Sequence, residues 1–208
     1  MKQISLTLML LFTASLSFAQ KQMRDYLVSM PDTMALYLNK TKRTEMVDFY
    51  QMGVKAETFN LLEGTTTLDS LNATFADVRL SESSRMQLSL LPTIQGDTLI
   101  CVSRTFYGEA PESTISFYDS QWRPVASAGK LPDISLAAMM QRPDTMSVER
   151  YDELQRLVDP MMLYAELSPE GDSLTFRLSA PMTTKKEKEA LNAIFVQRKV
   201  KWDGEKFN

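Results

Sequence analysis

Between residues 86 and 119 apolar and polar side chains alternate along runs separated by turn residues, and this pattern restricts the chain to an antiparallel sheet. Met86-Gln87-Leu88-Ser89-Leu90 alternates strictly. Successive side chains on a strand face opposite ways, so such a run has one apolar and one polar face. Gly96-Asp97 supplies a hairpin turn, Thr98 to Tyr107 reads as one long strand, and Thr114 to Tyr118 as another after the loop at Pro111. Strands joined by short connections pair antiparallel, which gives a meander. Trp122-Arg123-Pro124-Val125 adds a short edge piece, a position that tolerates proline.

The flanking segments carry other spacings. From Gln20 to Gly53 the pattern is helical, with Met34, Leu36, Tyr37 and Leu38 in one segment and Met46, Val47, Phe49 and Tyr50 in another; Pro31-Asp32 reads as a stop and cap, and Gly53 as a break. Thr65 to Leu68 and Phe75 to Leu80 read as two short strands, with Gly64 and Asn72 as turn residues. Beyond Leu131-Pro132, Asp144 is expected to cap a helix that places Val148, Tyr151, Leu154 and Leu157 at helical spacing and ends at Pro160. Next come a segment from Met162 to Leu167, a turn at Glu170-Gly171-Asp172 and an alternating strand from Leu174 to Leu178. Thr184-Lys185-Lys186-Glu187 forms a capping box that opens a helix to Ile194, and a strand through Val196, Val200 and Trp202 closes the chain. The expected fold class is α+β, with antiparallel β-meander sheets and helices packed on one face.

Two fragments recur. Pro31-Asp32-Thr33-Met34 returns as Pro143-Asp144-Thr145-Met146, and Gly96-Asp97-Thr98-Leu99 is echoed by Gly171-Asp172-Ser173-Leu174. The two recurrences have different offsets, so a single uniform duplication is excluded. The mature chain reads as one α+β domain over residues 20–208, and its layout also admits two divergent helix-plus-hairpin halves at 20–130 and 131–208.

Residues 1–19 read as a cleavable signal peptide. Lys2 precedes an apolar run from Ile4 to Phe12, and small residues at Ser17 and Ala19 suit signal peptidase, with cleavage before Gln20. A spanning helix needs roughly 20 consecutive apolar residues, more than this segment offers, and no later stretch spans. Gln20 replaces the cysteine that a bacterial lipoprotein would acylate. The expected location is periplasmic or extracellular.

Composition then closes several chemistries. The chain has no histidine, which excludes Ser-His-Asp and Cys-His hydrolases and imidazole-based zinc or haem sites. Its net charge is −3 with both signs mixed along the chain, so no basic surface for nucleic acid is expected. The single cysteine, Cys101, sits in the apolar run Leu99-Ile100-Cys101-Val102 and reads as a buried, inert thiol. The 14 methionines lack the His or Cys companions of a copper box and read as adaptable core. No cofactor, metal or catalytic residue is assigned.

Four constellations remain. Ser127-Ala128-Gly129-Lys130 matches an S-x-x-K nucleophile motif, but Gly129 and the absence of companion elements make it a turn. Asp97, Glu109, Glu112, Asp119 and Asp133 are a loose acidic set from which a carboxylate-based glycan hydrolase could be built. Tyr107, Tyr118 and Trp122 are candidate binding residues, because an outward aromatic row on adjacent strands would form a platform for sugar or protein. Finally, Asp followed by Ser or Thr and then an aliphatic residue or Met occurs five times. These triplets resemble the O-glycosylation signal of exported Bacteroidota proteins and make Thr33, Ser70, Thr98, Thr145 and Ser173 candidate sugar sites. Helix caps and hairpin turns use the same residues.

The segments Ala76 to Ser84, Gln87 to Pro92, Asp97 to Val102, Ala110-Pro111-Glu112, Ser116 to Asp119 and Trp122 resemble a Bacteroidales family of exported proteins described as a domain of unknown function, number 3256. The resemblance implies export and brings no activity. The functional expectation is an exported, non-enzymatic binding or interaction module for an unknown protein or carbohydrate partner. The alternative is the carboxylate-based hydrolase acting on glycans, and a structural role through exposed strand edges is the third option.

Overall fold

The polar side of the alternating run is buried as thoroughly as its apolar side, and this organises the whole molecule. The computed structural model describes residues 21–158, 161–181 and 184–208; residues 1–19, read from sequence as a signal peptide, and Gln20 and Pro160 lie outside the described residues. Helices α1 (Met23–Ser29) and α2 (Lys40–Gln51) precede seven strands, β1 (Glu57–Phe59), β2 (Thr65–Leu71), β3 (Phe75–Ser81), β4 (Ser84–Pro92), β5 (Thr98–Tyr107), β6 (Pro111–Tyr118) and β7 (Pro124–Val125). They pair antiparallel in chain order as one meander. Helix α3 (Val148–Arg156), β8 (Met162–Leu167), β9 (Ser173–Ser179), α4 (Lys185–Asn192) and β10 (Arg198–Lys201) follow, and their strands form a smaller antiparallel sheet in the order β10-β9-β8. The fold is α+β with antiparallel sheets and helices packed alongside, as the alternation and helical spacing indicate.

Each face of the large sheet has its own core. Leu68, Val78, Met86, Leu88, Leu90, Ile100 and Val102 meet Met23, Leu27, Met30, Leu38 and Met46 from α1, α2 and their connection. The opposite face presents Phe75, Leu91, Leu99, Cys101 and Phe117 to Ala165, Leu174, Phe176, Val200, Leu154 and Leu191. Helices therefore cover one face directly, while the small sheet, backed by α3 and α4, covers the other. Burial pushes the Cys101 thiol far above its ordinary pKa, consistent with an inert core residue.

The small sheet docks through its edge. Strand β8 has β9 on one side only, so its outer backbone groups need partners, and polar side chains of the large sheet supply them. The Ala165 N–H donates to Ser113 Oγ (2.9 Å), Ser103 Oγ donates to the Ala165 carbonyl (2.8 Å), and the Leu167 N–H donates to Gln87 Oε1 (3.0 Å). Ser89 Oγ donates to the Gly171 carbonyl (2.7 Å) and Ser179 Oγ to that of Pro111 (2.6 Å). Each such bond contributes about 1 kcal/mol net, and losing one partner leaves a buried group unsatisfied at about 1–3 kcal/mol.

Several local expectations change. Strand β1 was not expected; it is held to the sheet edge by pairing with β2 and by Thr58 Oγ1, which donates to Glu45 of α2 (3.2 Å). The cap of α3 is Ser147, not Asp144, because Pro143 to Met146 closes a turn of its own, with the Met146 N–H on the Pro143 carbonyl at 3.0 Å. The recurring Pro31 to Met34 fragment makes the same turn, at the same 3.0 Å. The capping box at Thr184 and Glu187 is present, and α4 stops at Asn192 rather than Ile194. At the C-terminus Trp202 pairs with Phe207, both rings near Phe117, and Trp202 Nε1 donates to the Pro92 carbonyl (2.7 Å). The connecting turn is tied by Asp203, whose carboxyl is held below its usual range by the N–H of Lys206 and then that of Glu205.

Candidate functional site

The exposed apolar side chains concentrate at one end of the large sheet. In a seven-stranded meander the end of β1, the start of β2, the 81–84 turn and the 107–111 turn share that end. There Leu61 and Leu62 follow β1, Phe106 and Tyr107 end β5, and Leu36 protrudes from the α1–α2 connection, while Phe59, the last residue of β1, points to the sheet face opposite that of Thr58. Leu36 is 74% exposed, Leu62 73% and Phe106 58%. A cavity of about 210 Å³ opens among them, lined by Leu36, Tyr37, Leu80, Ser84, Arg104 and Phe106 together with parts of the connection and Arg85.

Polar scaffolding holds these groups outward. Asn60 is buried, and its Oδ1 accepts the N–H groups of Leu62 (2.9 Å) and Gly64 (3.1 Å), while its Nδ2 donates to Thr66 Oγ1 (3.2 Å). This turn carries Leu61 and Leu62 at its tip and places Glu63 at φ 61°, a conformation that L residues adopt only under constraint. The Leu61 N–H donates to the Tyr37 carbonyl (2.9 Å), which joins the tip to the α1–α2 connection. On the opposite wall Arg104 Nη2 donates to the Met34 carbonyl and fixes the turn before Leu36.

The two arginines at this end of the sheet have different partners. Arg85 Nε donates to Asp77 Oδ1 at 2.7 Å and its Nη2 to the second oxygen; this hydrogen bonding, above all, raises the arginine pKa further. Arg104 has the Met34 carbonyl and the Met86 sulfur (3.9 Å) and no carboxylate partner among the described residues. Register explains the difference: Met86 sits opposite Arg104 and Arg85 opposite Thr105, so the arginines occupy opposite sheet faces, and only one meets Asp77. Tyr37 OH and Ser84 Oγ lie 3.5 Å apart on the cavity wall.

The residues singled out from sequence fall in several places. Tyr107 is 40% exposed at this same end. Tyr118 and Trp122 lie at the other end of the β5–β6 ladder, with ring centroids 5.7 Å apart; Trp122 is only 7% exposed and adopts φ 64°. The three aromatics thus do not come together in one row. Of the acidic set, Asp97 and Asp119 stand at the Tyr118 end, whereas Glu109 and Glu112 stand at the Tyr107 end. Partial burial raises the Asp119 pKa, but the backbone N–H groups of Arg123 and Gln121 and the Arg123 side chain outweigh it and keep the carboxyl low, the reverse of what a general acid requires. Ser127 to Lys130 closes a turn with the Lys130 N–H on the Ser127 carbonyl (3.0 Å) and Gly129 at φ 75°. Thr33 and Thr145 are exposed, Ser70 and Thr98 half-buried, and Ser173 is buried.

Sequence alone assigns no site role to Leu36, Leu61, Leu62, Arg104 or Phe106, the last of which stands beside the candidate Tyr107. The available signal was two adjacent leucines inside a turn running from Asn60 to Gly64. Among the described residues no cluster of three or more metal-ligating side chains exists, and no helix is long and apolar enough to cross a membrane.

No curated protein matches the chain. A solved structure, described as a domain of an uncharacterized protein from Porphyromonas gingivalis W83, is similar in fold, with a TM-score of 0.74, 20% identity, and coverage of 89% of this chain and 98% of that one. The family described as Protein of unknown function (DUF3256) matches residues 15–207, which is nearly the whole sequence and includes every strand of both sheets, and the chain belongs to that family.

Proposed function

We propose that this protein is an exported, non-enzymatic binding module that docks a partner protein at the rim formed by Leu36, Leu61, Leu62 and Phe106. The observation that supports this reading is that large apolar side chains are held outward by a dedicated turn, with Asn60 buried beneath them and Glu63 at φ 61°, instead of being folded into either core. Apolar groups clustered and exposed in this way favour association, since covering them removes apolar area from water. The sugar-platform variant has weaker support, because Tyr107 is exposed while Trp122 is buried.

Placing p-benzoylphenylalanine at position 62 in the exporting bacterium tests the docking. Irradiation is expected to yield a discrete adduct, whereas the same group at Lys188 on α4, also exposed, yields none. Equal labelling from both positions, or none from position 62, overturns the assignment of the rim.

Export and modification are read together. Cleavage before Gln20 releases the protein to the periplasm or the medium. Thr33 and Thr145, in their two equivalent exposed turns, are the triplet hydroxyls open to a glycosyltransferase after folding, while Ser173 would have to be modified before β9 forms. Intact-mass measurement of exported material is expected to show loss of residues 1–19 and added hexose that disappears in a Thr33→Ala, Thr145→Ala variant. A mass equal to the bare cleaved chain would eliminate the modification, and an uncleaved mass the export.

A further inference from the structure

We infer that the cavity beneath the rim receives the C-terminal residue of the partner, its free carboxylate on Arg104 and an apolar side chain against Leu36, Leu80 and Phe106. The inference rests on the docking proposed above and names the chemistry recognised there.

Charge comes first. The protein carries net negative charge, yet the cavity is lined by Arg104 and by no carboxylate, and the Arg85 guanidinium faces the other side of the sheet. Arg85 is neutralised by Asp77. Arg104 is half-buried, and its Nε and Nη1 have no partner among the described residues, although Nη2 is anchored on the Met34 carbonyl. With Nη2 taken by the Met34 carbonyl and the Met86 sulfur, Nε and Nη1 point in different directions, and each leaves a donor for a single charge-assisted hydrogen bond to a carboxylate oxygen. The partly desolvated wall strengthens that pairing relative to open water.

Size and polarity select the rest of the ligand. A cavity of about 210 Å³ is large enough to take a terminal side chain with its carboxylate. Leu36, Leu80 and Phe106 offer apolar contact, and the Tyr37 and Ser84 hydroxyls supply polar partners beside Arg104 for a terminal peptide group. The upstream residues of such a terminus would leave the cavity over Leu61 and Leu62, since Leu61 is bonded to the backbone of Tyr37 at the cavity wall. A free chain end is thereby distinguished from an internal acidic side chain, which would have to bring two flanking segments into the same opening.

NMR titration of the intact mature protein tests this with three probes: a flexible pentapeptide ending in phenylalanine with a free carboxylate, the same peptide as its C-terminal amide, and N-acetylphenylalanine. The free-acid peptide is expected to shift the resonances of Leu36, Tyr37, Leu80, Arg104 and Phe106 saturably. Its affinity should exceed that of the amide by about tenfold, the ratio a charge-assisted hydrogen-bond pair supplies. It should also exceed that of N-acetylphenylalanine, which cannot reach the leucine rim. Equal binding of acid and amide overturns the carboxylate assignment, equal binding of the peptide and N-acetylphenylalanine overturns the chain-terminus assignment, and absence of shifts overturns both. Arg104→Gln is expected to abolish the preference for acid over amide. Because that residue also braces the Met34 turn, the comparison of probes on the unaltered protein carries the test. An adduct from position 62 without selective acid binding leaves docking in place and removes the terminal-residue inference; selective acid binding without an adduct does the converse.

Discussion

Replacing Arg43 by Met lowers the unfolding free energy by about 3–5 kcal/mol, a large fraction of the stability of a domain this size. Arg43 lies inside α2 and is fully buried, at 0% exposure. Its Nε donates to the Leu27 carbonyl (3.0 Å), Nη1 to that of Leu38 (2.6 Å), and Nη2 to those of Val28 (3.4 Å) and Met30. The last carbonyls of any helix lack intrahelical partners, and α1 ends at Ser29, so this guanidinium closes the C-terminal end of α1 from the neighbouring helix. The positive charge also complements the negative end of the α1 dipole.

Methionine matches the length and leaves the carbonyls buried and unpaired, so the replacement does not resemble the neutral exchange of an ion pair for an apolar pair. Lysine has a single head and cannot span the four carbonyls, so Arg43→Lys should fall between wild type and Arg43→Met. Asp32 pairs with Arg43 Nη1 at 2.9 Å but is itself half-exposed, and Asp32→Asn should cost under about 1 kcal/mol. Urea denaturation followed by circular dichroism reads all three. An Arg43→Met midpoint within error of wild type would show that the α1 end finds other partners.

How far the sequence reveals this molecule depends on where each piece of information resides. Strand β5 is legible from Thr98 to Tyr107 because alternation and flanking turn residues are local, and the edge piece at Pro124-Val125 is legible from the proline for the same reason. Strand β1 has three residues and no internal period; it exists because β2 and α2 hold it. The second cover of the large sheet was hidden by its own chemistry. Gln87, Ser89 and Ser103 look like a solvated face, yet they are buried because each meets a backbone group of the small sheet or its turn.

The candidate site was hidden similarly. Leu36, Leu61 and Phe106 become neighbours only when the meander brings distant turns to one end, and register alone separates Arg104 from the carboxylate that takes Arg85. Trp122 shows the opposite failure, since an aromatic beside a short edge strand looks available, whereas the 119–123 turn rotates it into the helix-side core.

The second large effect is expected where that hidden face carries charge. Asp77 of β3 is buried and accepts from both Arg85 and Gln87, the latter at 3.3 Å; Arg85 reaches Glu166 of β8 at 3.6 Å, and Glu166 pairs with Arg177 of β9. The chain of groups runs from the large sheet to the small one, and Gln87 is held at both ends, since its Oε1 receives the Leu167 N–H. Asp77→Leu should therefore cost about 3 kcal/mol, the lower end of the range for breaking a buried pair, because Arg85 is partly exposed. The arginine has no escape by losing its proton, since its pKa lies beyond any working pH. The double replacement Asp77→Leu, Arg85→Leu should recover a substantial part of the loss, as the stranded charge is gone. Hydrogen exchange at the Ala165 and Leu167 amides should accelerate in the single variant and slow again in the double, because those amides report the docking of β8 directly. Equal destabilisation of single and double variants would mean that the pair contributes through packing alone. Loss without faster exchange at Ala165 would mean that the two sheets are held by their apolar core and not by the side chains that bridge the edge.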